Sequence, residues 1–110
     1  MEKRKSSRLP ITLDVEHILG DSESCICLGQ DISLGGIQLA GSAGFGWGKP
    51  RHAWLSISLP DGVDRPIRAL GELRYERSDV EGVSTRGYRF KYMSPRERCR
   101  FNAYVAQQQA

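Results

Sequence analysis

Ile11, Leu13 and Val15 alternate with Thr12, Asp14 and Glu16, a period of two that predicts a strand with one buried face. The theme repeats down the chain. Residues about 23–32 set Cys25 and Cys27 against Ile26 and Leu28, and Gly35-Gly36 turns the chain into Ile37-Gln38-Leu39. Ala53, Leu55, Ile57 and Leu59 alternate with Trp54, Ser56 and Ser58. Ile67, Ala69, Gly71, Leu73 and Tyr75 form the next inward set, with Arg68, Glu72, Arg74 and Glu76 outward. Tyr88, Phe90 and Tyr92 complete the inward series against Arg89 and Lys91. Pro60-Asp61-Gly62 and the stretch 79–82 read as turns, and the Gly- and Ser-rich run from Gly41 to Gly48 as the longest loop. Six short strands without interleaved helices predict an antiparallel barrel or sandwich.

The end of the chain changes period. Ser94-Pro95-Arg96-Glu97 combines a capping box with proline at the first helical position, so a helix is expected over 94–107. Phe101, Tyr104 and Val105 fall on the face turned to the strands; Arg96, Arg98 and Arg100 fall among solvent-facing positions or pair with Glu97.

At 110 residues there is room for one domain, divided into a basic arm (1–10), a β-region (11–93) and the helix. An output module would therefore have to be a separate protein. Three cysteines, an odd number, argue against a disulfide framework and for a reducing cytoplasm. No apolar run is long enough for a membrane span, and Asp14 and Glu16 break any signal-peptide core, so no membrane insertion is expected.

The net charge of +3 is unevenly spread. Lys3, Arg4, Lys5 and Arg8 against Glu2 account for all of it, and the remaining twelve basic and twelve acidic residues cancel. By residue type alone the arm fits a solvated tail as well as an anion-binding segment. What favours the latter is the string Asp31-Ile32-Ser33-Leu34-Gly35-Gly36. The Arg4 and Arg8 guanidiniums suit phosphates, because the planar fork donates bidentate bonds and stays charged. The Asp31 carboxylate only accepts, which suits the N1–H and N2–H edge of guanine. Together they describe a site for a compact anion that carries guanine. The duller reading is that Asp31 and Ser33 cap a turn and that Gly35 and Gly36 supply positive φ.

Arg4-x-x-x-Arg8 followed by Asp31-x-Ser33-x-x-Gly36 resembles the PilZ domain, a bacterial receptor module for cyclic di-GMP. Gly71-Glu72-Leu73-Arg74-Tyr75 is similar to the family's mid-domain strand, which often ends in an aromatic, and Gly87-Tyr88-Arg89-Phe90 to its last strand. The resemblance implies an all-β fold with a C-terminal helix: a six-stranded antiparallel β-barrel followed by one α-helix. It also implies cyclic di-GMP as ligand, with Lys3, Arg4, Arg8, Asp31, Ser33, Gly35, Gly36 and Tyr75 as the binding residues. The inward position of Tyr75 speaks more for packing than for contact, and Lys3 leaves open whether one ligand or an intercalated pair is held. The expected output is ordering of the arm, which presents a surface to a downstream protein controlling motility, exopolysaccharide or virulence. The family also offers a different role, a protein-interaction module that binds no nucleotide; such relatives are usually degenerate in these motifs, which are intact here.

Other classes have little support. Cys25-x-Cys27 with His17 lacks the spacing of a metal knuckle and reads as core, so no metal or cofactor is expected. No nucleophile–base pair suggests an enzyme. Four positive charges without an aromatic strand motif do not make a nucleic-acid platform. A monomer or weak dimer in the cytoplasm is the expected state.

Overall fold

The alternation resolves into six strands: β1 (Leu13–Ile18), β2 (Ser24–Ser33), β3 (Gly36–Gly41), β4 (His52–Ser58), β5 (Ile67–Ser78) and β6 (Ser84–Met93), followed by α1 (Pro95–Gln109). The computed structural model describes residues 12–18, 24–41, 51–78 and 81–109. The expected arm and the 42–48 part of the expected loop lie outside these residues. All pairings are antiparallel, and the order β1-β2-β3-β6-β5-β4 closes on itself because β4 also pairs with β1. The result is a six-stranded barrel with one C-terminal helix, the fold class expected from the sequence.

Leu13, Val15, Leu39, Leu55, Ile57, Ile67, Ala69 and Tyr88 fill the interior. The helix covers the end where β6 finishes, burying Phe101, Tyr104 and Val105, with the Phe101 ring edge-on to Phe90 at 5.3 Å between centroids. Its start is built as the capping box requires. The Glu97 amide donates to Ser94 Oγ at 3.3 Å, and the Ser94 hydroxyl donates to Glu97 Oε1 at 3.1 Å.

Two of the helix arginines are not simply solvated, contrary to the sequence expectation. Arg100 donates from Nε to Asp61 Oδ2 at 2.7 Å and from Nη2 to Asp61 Oδ1 at 2.9 Å, pinning the turn before β5. Those bonds hold the Asp61 carboxyl down to a pKa of about 2. Arg98 Nη1 donates 2.7 Å to the carbonyl of Leu34, in the β2–β3 turn.

Two inward assignments also change. β5 and β6 slip register between Leu70 and Gly71 and again between Leu73 and Tyr75. The first slip leaves Lys91 as an extra residue on β6, so Met93 turns inward and Tyr92 is 54% exposed. The second leaves Arg74 extra on β5. A one-residue bulge sends every following side chain to the opposite face. Tyr75 is therefore on the outer wall, partnered with Gly87, while Leu73 stays inside with Tyr88.

Candidate functional site

A third register shift shapes the β2–β3 hairpin. Gln30 pairs with Gln38 and Ser33 with Gly36, so Asp31 and Ile32 share Ile37 as their single opposite. Asp31 takes up the extra residue with φ of 50°, a left-handed conformation that Asp tolerates better than most side chains. Ile32 is thereby buried and Asp31 left half-exposed at the rim. The left-handed residue of this motif is Asp31; Gly35 and Gly36, which the duller reading gives a positive φ, do not adopt one. Gly36 is needed for a different reason, since a Cβ there would drive into the carbonyl oxygen of Tyr88.

Two bonds from outside hold the tip of this hairpin. The Phe90 amide donates to Gly35 O at 2.8 Å, and Arg98 holds Leu34 O from the helix. The arginine also lies over the Phe90 ring, 5.8 Å from its centroid. The turn carrying Asp31 and Ser33 is thus fixed to β6 and α1 rather than left as a free loop.

Beside it the outer wall opens into a cleft of about 300 Å³ between the hairpin, β6 and the bulged part of β5. Asp31, Ser33, Gly35, Gly36 and Tyr75 all line it, joined by Gln38, Arg74, Gly87 and Arg89. Because Gly87 has no side chain, the Tyr75 ring can lie across it on the floor of the cleft: a Cβ on Gly87 would meet the ring directly. The Tyr75 hydroxyl donates to Gln38 Oε1 at 2.8 Å, which fixes the far edge of the ring, and Arg77 covers it at 4.8 Å from the centroid.

Arg74 and Arg89 supply positive charge. Both meet Glu72, Arg89 Nη2 at 2.9 Å and Arg74 Nη1 at 3.6 Å from the same Oε1, while their side chains stay 53% and 55% exposed respectively. Burial pushes the Glu72 pKa up, but Lys91, Arg89 and Arg74 outweigh it and hold the carboxyl below the usual range. One carboxylate therefore orients two guanidiniums whose remaining donors face solvent and the cleft.

Five of the eight binding residues expected from the sequence thus meet in one place. Lys3, Arg4 and Arg8 lie outside the described residues. The sequence reading missed Arg74, Arg89, Gln38 and Gly87 as site residues and Arg98 as the hairpin's anchor. Arg89 and Gly87 sit in the string compared with the family's last strand; nothing local marks Arg98, whose partner is 64 residues away. Among the described residues no group of three or more His, Cys, Asp or Glu is placed to hold a metal ion, and no helix is long and apolar enough to cross a membrane. Cys25 and Cys27 lie with sulfurs 4.0 Å apart on β2, and burial together with Cys25 pushes the Cys27 thiol up to about 12.

A family model described as the PilZ domain matches residues 2–107. No curated protein matches the sequence. Among solved structures, the Bacillus subtilis inhibitor of motility (MotI/DgrA) superposes with a TM-score of 0.81 at 21% identity over 99% of this chain. This chain spans only 52% of that protein. The PilZ domain of YcgR from Escherichia coli, solved with c-di-GMP, gives 0.72 at 14% identity, covering 98% of this chain and 92% of that one. At such identities the two structures share the fold.

Proposed function

The chain belongs to the PilZ domain family, and from that premise we propose that it is a receptor for cyclic di-GMP that acts on a separate protein rather than as an enzyme. The observation that carries the reading is the cleft, where Asp31, Ser33, Gly36 and Tyr75, spread over 45 residues of sequence, meet Arg74 and Arg89. The YcgR domain solved with c-di-GMP supports the choice of ligand.

Each residue type has a task in this reading. Asp31, held at the rim by its bulge, accepts from the guanine N1–H and N2–H edge. Ser33 and the bare backbone at Gly36 let the base lie close to the hairpin. The Tyr75 ring gives an apolar wall, and Arg74 and Arg89 donate to phosphate. The cleft is at the small end of the range for ligand pockets, so it takes one half of the dinucleotide, and the arm closes over the rest with Arg4 and Arg8. Ordering the arm costs roughly 1–2 kcal/mol per residue, which charge-assisted bonds of about 1.5–3 kcal/mol each can offset. The ordered arm is the surface a cytoplasmic partner would read.

Titration calorimetry with cyclic di-GMP, GTP and a short oligonucleotide tests this directly. The dinucleotide should bind at micromolar Kd or tighter and the others much more weakly, and Arg4→Ala and Arg8→Ala should each cost roughly 1.5–3 kcal/mol of binding. Absence of heat and of NMR shifts with cyclic di-GMP would favour the nucleotide-free interaction module.

A second expectation concerns guanine. Asp31→Ala should lower affinity for cyclic di-GMP by roughly 10-fold or more and cost the weaker binding of cyclic di-AMP less, because guanine offers the carboxylate paired N1–H and N2–H donors where adenine presents an N1 acceptor. Equal losses for both would reduce Asp31 to its backbone role in the bulge.

A further inference from the structure

On the opposite flank of the wall from the hairpin, four outward apolar side chains follow one another across four strands. Ile18 pairs with Trp54, Trp54 with Leu70, and Leu70 with Tyr92. Trp54 is 41% exposed, and Ile18 and Leu70 are half-buried. The next row of partners reads Ile26, Glu16, Ser56, Arg68, with Ile26 70% exposed. Scattered surface apolar residues need no explanation, but a contiguous row capped by opposite charges does.

We propose that this wall, β1-β4-β5 centred on Trp54, pairs two copies of this chain about a two-fold axis lying along β4. An isologous contact requires a surface that complements itself, and such an axis carries β1 of one copy onto β5 of the other. Trp54 then meets Trp54 of the second copy, and Ile18 meets Leu70 of the second copy. Glu16 faces Arg68 of the second copy, and the same contact is repeated on the other side of the axis. Within one copy Glu16 and Arg68 lie two strand spacings apart, about 10 Å, with Ser56 between them. Within its own copy Glu16 Oε2 accepts from the Ser24 hydroxyl at 2.5 Å, so it is the other carboxylate oxygen, Oε1, that Arg68 of the second copy would meet. At the edge of the contact Tyr92 comes beside β2 of the second copy, where Ile26 projects. The wall is convex, so the contact is small and the association weak, in the class that buries under about 1,200 Å². The face excludes the hairpin and the residues lining the cleft, and the pairing does not depend on the nucleotide reading.

Sedimentation velocity on the full chain across a dilution series tests the pairing, with circular dichroism confirming that each variant is folded. Reversible dimerisation with a Kd of about 100 µM is expected, weakening as salt rises. Trp54→Asp should weaken it by at least roughly 10-fold and leave nucleotide binding unchanged. Glu16→Arg should weaken it by about 5-fold, and the swap Glu16→Arg with Arg68→Glu should restore it to within about 2-fold, which only a contact between these two positions can do. A chain monomeric at every concentration overturns the proposal and leaves this face to a different protein. A dimer indifferent to Trp54→Asp, or a charge swap no better than Glu16→Arg alone, overturns it equally.

Discussion

Between pH 6.5 and pH 4 the fold should lose about 3 kcal/mol of stability through His17 alone. The imidazole is fully enclosed in the barrel, its Nε2 sharing a 2.8 Å hydrogen bond with the Tyr88 hydroxyl. Burial and, after it, the Arg86 guanidinium lower its pKa from 6.5 to about 4. Arg86 is itself buried, bonds Glu76 Oε2 from Nε at 2.8 Å and reaches the Tyr88 side chain. Tyr88 thus accepts from arginine and shares its hydroxyl with a neutral imidazole. Protonating His17 would bury a charge in the barrel and set it beside a guanidinium. The direction follows. Above 6.5 both folded and unfolded chains carry a neutral His17 and its full contribution is present. Below 6.5 the unfolded chain takes up the proton first, so stability falls until the folded form also protonates near 4, and then levels off. At ~1.4 kcal/mol per pH unit the interval amounts to about 3 kcal/mol. Urea titrations at pH 7, 5.5 and 4 measure it, with His17→Leu as the comparison. If the variant keeps the same slope as the parent, the loss belongs to other groups. The Asp61 contribution should not confuse the window, because its depressed pKa of about 2 means that it is lost only below the ordinary carboxylate value of 3.8.

The strands were legible because each buries one face, and a period of two in Leu13–Val15 or Ala53–Leu59 can mean little else. The helix start was legible because Ser94, Pro95 and Glu97 act within one turn. Pattern failed at the bulges. Nothing local announces that Arg74 and Lys91 are extra residues, since a bulge answers to the partner strand, and a missed bulge inverts every side chain beyond it. That error put Tyr75 in the interior, though its resemblance to a family aromatic had already marked it as a binding residue. The candidate site was half legible for a related reason. Asp31, Ser33 and Gly36 lie in one short string, whereas Arg74, Arg89 and Arg98 join it only through contacts that close across the barrel. Periodicity also led to the exposed face being read only as the strands' other side. The row Ile18-Trp54-Leu70-Tyr92 runs across strands, and register has to be known before it becomes a row.

Gly87→Ala should cost roughly 2–4 kcal/mol of stability and open the cleft wall, although it adds a single methyl group on the outside of the barrel. Outer-wall positions normally accept alanine with little effect. Here the new Cβ would point into the Tyr75 ring, which lies against Gly87 and has no slack. Its hydroxyl is tied to Gln38 Oε1 at 2.8 Å, and Arg77 sits over it at 4.8 Å. The ring must lift, which strains or moves neighbours at about 1–3 kcal/mol and gives up a hydrogen bond of about 1 kcal/mol. Because Tyr75 and Gly87 line the cleft with Asp31 and Arg89, cyclic di-GMP affinity should fall as well if the cleft is the binding site. Tyr75→Ala provides the control. Deleting the ring removes what the methyl would hit, so Gly87→Ala made in that background should cost less than about 1 kcal/mol, and the two substitutions should be far from additive. Urea denaturation of the parent, both single variants and the double variant gives the coupling. If Gly87→Ala is equally costly with and without the ring, the methyl is straining the β5–β6 backbone instead, and the aromatic wall of the cleft does not depend on a glycine beneath it.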